Sequence, residues 1–132
     1  MRLKSTYEGK TNAVASLEVE HKVKGQWQPL ELGLASPGFD IFVYSIFTCQ
    51  HRFFRVNCAE HGLVLNSADG TIVISADQDW NMETLQVHFS GQLGRGRASA
   101  DDIDYIVSRM KQCPVSRNIR EVADTESTVI LS

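Results

Sequence analysis

Three cysteines, at positions 49, 58 and 113, are the side chains of this 132-residue chain with the widest chemical scope. A thiol can be a nucleophile, a metal ligand or a small hydrophobe, and burial and neighbouring charge decide between these. Cys49 falls on one stripe with Phe42, Ile46, Phe53 and Val56, at steps of four, three, four and three. Cys113 follows Met110 by three residues on the inner face of a second helix. The spacing aims both thiols into the same interior. Two readings stand at this point. The pair can be structural, or it can be reactive if a positive or polar neighbour supports the thiolate.

Cys49, His51, Cys58 and His61 have the residue types of a zinc set. Positions 49 and 51 on one helix point about 200° apart, so the four cannot converge on a tetrahedral ion. No metal is expected. The segment Gly91-Gln92-Leu93-Gly94-Arg95-Gly96-Arg97 precedes a helix start at Ser99 and reads as a connecting loop. Its spacing matches neither a Walker loop nor a dinucleotide fingerprint. His21 and His88 lie in strand patterns without an acid or nucleophile partner in sequence.

The elements that would position the thiols follow from periodicity. Residues 2–8 and 13–20 read as strands joined by Glu8-Gly9-Lys10-Thr11-Asn12, with a short third strand near 25–27. A long helix runs from Phe39 to about Glu60, apolar on a second face as well through Phe39, Val43, Phe47 and Phe54, and ended by Gly62. Residues 63–68 and 71–76 flank Asp69-Gly70, a two-residue hairpin signal. Residues 83–90 form another strand. Ser99 with Asp102 reads as a capping box for the second helix, which runs to about Gln112 and ends or kinks at Cys113, before Pro114. Residues 127–131 close the chain as a strand. The order indicates an α+β fold with mainly antiparallel sheets, in a single domain over residues 1–132.

A net charge of −3, with 42% hydrophobic and 22% charged residues, describes an ordinary globular chain. That balance argues against a nucleic-acid or anionic-membrane binder. No apolar run approaches the roughly 20 residues of a membrane span, and no secretory signal is evident. An odd number of cysteines does not suit a disulfide framework, so a cytoplasmic location is expected.

Several of these residues resemble a known family. Ser36-Pro37 precedes the buried helix, Thr48-Cys49 lies within it, Ala59-Glu60-His61-Gly62 ends it, and Cys113-Pro114-Val115-Ser116-Arg117 follows the second helix. This pattern is similar to the osmotically inducible protein C and organic hydroperoxide resistance (OsmC/Ohr) superfamily, with element order agreeing along essentially the whole chain. The resemblance implies sheets wrapped around two central helices in an intertwined homodimer. It implies a thiol peroxidase of the oxidative stress response in which Cys49 attacks an organic hydroperoxide and Cys113 resolves the sulfenic acid as a disulfide. An external thiol would complete the cycle, and no cofactor is implied.

The family places a Glu near the start of the first helix and an Arg between the first two strands. Here Asp40 stands nine residues before Cys49, and Lys10 follows Gly9 where Arg is expected. Lysine is a point charge and lacks the guanidinium fork. Arg52, one turn after Cys49, is a further candidate for the supporting cation. Phe42, Ile46 and Phe53 would line an apolar substrate pocket that favours an alkyl hydroperoxide. The alternative is a non-catalytic dimer of the same fold that binds a small apolar ligand.

Overall fold

In the computed structural model, which describes residues 1–118 and 124–132, the N-terminal alternation becomes strand β1 (Arg2–Glu8). Leu3, Ser5 and Tyr7 point inward and are buried, while Arg2, Lys4 and Thr6 do not. Strand β2 (Ala13–Val23) runs antiparallel to β1, and β3 (Gln26–Pro29) adds the edge. Helix α1 (Gly38–Glu60) follows. Gly62, at φ +72°, supplies the left-handed residue that ends it, a conformation costly for a residue with a side chain.

One finding corrects the sequence reading. Asp69-Gly70 is not a turn. A single strand, β4 (Val64–Ala76), passes straight through it, and Gly70 pairs with Leu3 on one side and Phe89 on the other. The glycine is required by packing: a Cβ there would lie 2.6 Å from the Phe89 ring. The hairpin bend falls at residues 77–81. There Asp77 Oδ1 accepts from the backbone N–H groups of Asp79 (2.9 Å) and Asn81 (2.8 Å).

Strand β5 (Met82–Arg95) also runs beyond its expected end and takes in most of the glycine-rich segment. Ser99 caps α2 (Ala100–Met110) with the full reciprocal box to Asp102. After Cys113 the chain makes a further short helix, α3 (Pro114–Arg117), with proline at its first position, where a missing N–H costs nothing. Strand β6 (Asp124–Leu131) then pairs with β5 in parallel. The result is one six-stranded mixed sheet, ordered β3-β2-β1-β4-β5-β6, with α1 and α2 packed together. The expected α+β class is observed.

Phe89 centres the core. Its ring stacks on Phe54 at 5.0 Å and on Phe47 at 5.7 Å, and all three are fully buried. Beside them His51, 4% exposed, lies 2.7 Å from Tyr7 Oη through Nε2. Ser5 Oγ–H donates to Tyr7 Oη, so the phenol hydrogen is directed to the imidazole. Burial, followed by the Arg55 charge, holds His51 down at about 4. The folded state therefore favours neutral His51, whereas the unfolded chain takes up a proton below its ordinary 6.5. Stability should be complete above pH 6.5 and fall by about 3 kcal/mol as pH drops to 4. Urea unfolding across that window checks this: His51→Gln should flatten the slope, and an unchanged slope would exclude His51 as its source.

Candidate thiol site

Cys49 and Cys113 meet where the middle of α1 faces the start of α3. Both lie where the stripe argument aims them, but they differ in access. Cys113 is fully buried; Cys49 is half-buried. Cys113 caps α3: its Sγ accepts from Ser116 N–H at 3.3 Å and lies 2.9 Å from Ser116 Oγ. Burial and the adjoining Cys113 thiol push Cys49 up to about 11. The Val115 amide and the Arg52 charge act in the opposite direction. Arg52 is thus the cation that bears on Cys49.

The other candidates fall elsewhere. Asp40 lies beside the Met1 ammonium, in a cavity of about 500 Å³ that also includes Phe39 and Ile72. Lys10 is exposed in the β1–β2 turn. Neither is among the charges that act on Cys49. Ile46 is fully buried in the core, Phe42 is 36% exposed and packs on Phe39, and Phe53 lines a groove of about 190 Å³ with Arg52, Val56 and Arg109. The three expected pocket residues therefore sit in three different environments. Periodicity identified two apolar faces on α1, and the core takes Val43, Ile46, Phe47 and Phe54 from both.

The four residues of the superficial zinc set separate. His51 turns to Tyr7, and His61 Nδ1 pairs with Asp102 Oδ1 at 2.6 Å while stacking on Tyr105. Cys58 is fully buried in the core, where desolvation pushes its thiol up to about 12. His88 bonds Thr128 across the β5–β6 pair. Among the described residues no group of three or more His, Cys, Asp or Glu could hold a metal, and no helix is long and apolar enough to cross a membrane.

Sequence reasoning did not find the hydrogen-bonded chain that leads from Cys113 through Ser116 to Gln50 and Ser127. Gln50, 3% exposed, donates through Nε2 to Ser116 Oγ at 3.0 Å and accepts from Ser127 Oγ–H at 3.0 Å. The available signal was a glutamine whose helical neighbours three and four residues away, Ile46, Phe47, Phe53 and Phe54, are all apolar, a position that demands partners.

No protein-family model and no curated protein matches the chain. Solved structures do. An OsmC-like protein from Mycoplasma pneumoniae is 12% identical, with 87% of each chain covered and a TM-score of 0.54. An OsmC-like protein of unknown function from Vibrio cholerae is 8% identical, covering 98% of this chain and 97% of that one, with a TM-score of 0.55. A hypothetical protein from Aquifex aeolicus is 9% identical, with 98% and 96% covered and a TM-score of 0.60. At these identities the likeness is one of architecture, carried across nearly the full length of the chain, and on that ground the fold is OsmC-like.

Proposed function

We propose that this protein is a cysteine-based peroxidase that reduces organic hydroperoxides, with Cys49 attacking and Cys113 resolving. The observation that carries this reading is the meeting of a half-buried thiol and a fully buried one at a single polar site. Access favours Cys49 as the sulfur that a hydroperoxide reaches first. The Cys49 thiolate takes the terminal oxygen, giving a sulfenic acid, and the O–O bond breaks to release an alcohol after protonation. Cys113 then displaces hydroxide from the Cys49 sulfur, which leaves as water, and a disulfide remains. An external dithiol returns the pair to the reduced state. Cys49 stands at about 11 with the Val115 amide and the Arg52 charge already acting on it, so the thiolate used in the first step needs stabilisation beyond what they supply.

Phe53 and Val56 beside Arg52 offer apolar surface to an alkyl group. Cytoplasmic conditions would keep both thiols reduced between turnovers. Titration of free thiols tests the reading. One equivalent of an alkyl hydroperoxide should remove two thiols per chain, restored by dithiothreitol. No loss would instead assign the chain to a ligand-binding, non-catalytic role.

The protein is further proposed to act as a homodimer. One side of α1 carries Ile41 at 42% and Phe42 at 36% exposure, with Cys49, Phe53 and Val56 only half-covered. A second copy laid over this stripe would bury it and close the thiol site from water. Light scattering at micromolar concentration should give twice the mass of one chain. A monomer mass would defeat the proposal.

A further inference from the structure

Gln50 has no part in the redox steps above, yet it is almost wholly buried and hydrogen-bonded through both its side-chain nitrogen and its oxygen. It joins three elements, bonding from α1 to Ser116 on α3 and to Ser127 on β6. The direction of these bonds matters. Ser127 Oγ–H donates to Gln50 Oε1, and Gln50 Nε2–H donates to Ser116 Oγ. An amide nitrogen has no acceptor capacity, so the Ser116 hydroxyl cannot spend its hydrogen on Gln50. The sulfur of Cys113 lies 2.9 Å from that same hydroxyl oxygen, and Ser116 N–H already donates to it at 3.3 Å. While Cys113 is a thiol, its S–H donates to Ser116 Oγ. Once it ionises, the hydroxyl hydrogen is free to turn onto the sulfur.

We propose that Gln50 is a positioning residue for the resolving thiol: it holds the Ser116 oxygen as an acceptor, which leaves the Ser116 hydroxyl hydrogen to stabilise Cys113 as a thiolate. The inference rests on the reading of Cys113 as the resolving sulfur. Resolution needs that thiolate. Cys113 Sγ attacks the sulfur of Cys49–SOH, the S–S bond forms as the S–O bond breaks, and the departing hydroxide takes the proton Cys113 released. A hydrogen bond to a charged sulfur is stronger than one between neutral groups, so its loss should be felt in this step. Attack by Cys49 on the hydroperoxide does not use the Ser116 hydroxyl.

Single-turnover kinetics on the full chain separate the two steps, with cumene hydroperoxide as the probe. Hydroperoxide consumption reports the first step. Acid quenching, alkylation and mass analysis report disulfide formation, followed from neutral to alkaline pH. In Gln50→Leu, consumption should stay within about twofold of wild type. Disulfide formation should slow roughly tenfold at neutral pH, the equivalent of one charge-assisted bond, and recover as pH rises. Ser116→Ala, which removes only one oxygen from a half-buried position, should slow disulfide formation equally, and the double variant no further. Equal slowing of both steps in Gln50→Leu, or a slowing that pH does not reverse, would overturn the proposal and leave Gln50 as a packing residue. Additive losses in the double variant would also overturn it. A wild-type chain that consumes no hydroperoxide would overturn the peroxidase reading itself, an outcome distinct from these.

Discussion

Replacing Cys49 by serine should lower turnover of an alkyl hydroperoxide by at least roughly a thousandfold, because a serine hydroxyl without a dedicated base is a poor nucleophile. Among the described residues no such base stands there: the groups acting on Cys49 are Cys113, the Val115 amide and Arg52. Cys113→Ser should fail in a different way. It should consume about one equivalent of hydroperoxide to reach the sulfenic acid and, under excess oxidant, slowly a second as the unresolved sulfenic acid advances to sulfinic acid, without catalytic turnover. The asymmetry follows from access, since Cys49 is half-buried and Cys113 is fully buried. Mass spectrometry of both treated variants checks this. Sulfinic acid on Cys113 in the Cys49→Ser chain, with Cys49 untouched in the other variant, would reverse the roles.

The largest effect on stability is expected at Asn12. Its side chain is fully buried and bonds through both polar atoms: Nδ2 donates to Arg55 O and to Leu63 O, both at 3.0 Å, and Oδ1 accepts from Leu65 N–H at 2.9 Å. Arg55 returns a bond to the Asn12 carbonyl at 3.0 Å. The β1–β2 turn is thereby pinned to the end of α1 and the start of β4. Asn12 also sits at φ +50°, a conformation asparagine tolerates better than most residues. Asn12→Ala strands two buried groups, Leu63 O and Leu65 N–H, removes the bond to Arg55 O and adds backbone strain, for a loss of about 3–5 kcal/mol. That corresponds to a melting point roughly 10–20 °C lower. Asn12→Gly relieves the strain alone and should recover about 1 kcal/mol of the loss. Thermal melts of the two variants test it. A fall below about 1 kcal/mol for alanine would show that water replaces the clamp.

Asn12 also illustrates how far the sequence could be read. It was legible as turn material, because that signal is local. Its partners lie 43 to 53 residues away, and nothing in its own segment announces them. The same division runs through the chain. Helix α1 and the Ser99–Asp102 box depend on neighbours within a few residues, and the structure has them where expected, whereas α2 ends at Met110, short of the expected Gln112, and Cys113 caps a new helix. Asp69-Gly70 carries an equally local signal, yet packing overrides it: the glycine makes room for Phe89 between strands that pair on both sides.

For the thiol site, periodicity sufficed to bring Cys49 and Cys113 toward one interior, since a stripe fixes direction. It could not show that the core would draw on both apolar faces of α1. Ile46 was therefore expected in a pocket and lies in the core instead. Nor could it show that Asp40 would turn to the amino terminus, or that Ser116, Gln50 and Ser127, from three separate elements, would form a hydrogen-bonded chain leading to Cys113.

Peptide mapping of the wild-type chain after one equivalent of alkyl hydroperoxide, alkylated without reductant, tests the central claim most directly. Cys58, roughly 13 Å along the helix from Cys49, lies beyond disulfide reach. The expected product is a cross-linked pair of peptides containing Cys49 and Cys113 within one chain, lighter than the two thiols by two hydrogens, with Cys58 alkylated or intact. Recovery of Cys49 and Cys113 as unlinked, unoxidised thiols, or of a disulfide through Cys58, would contradict the account.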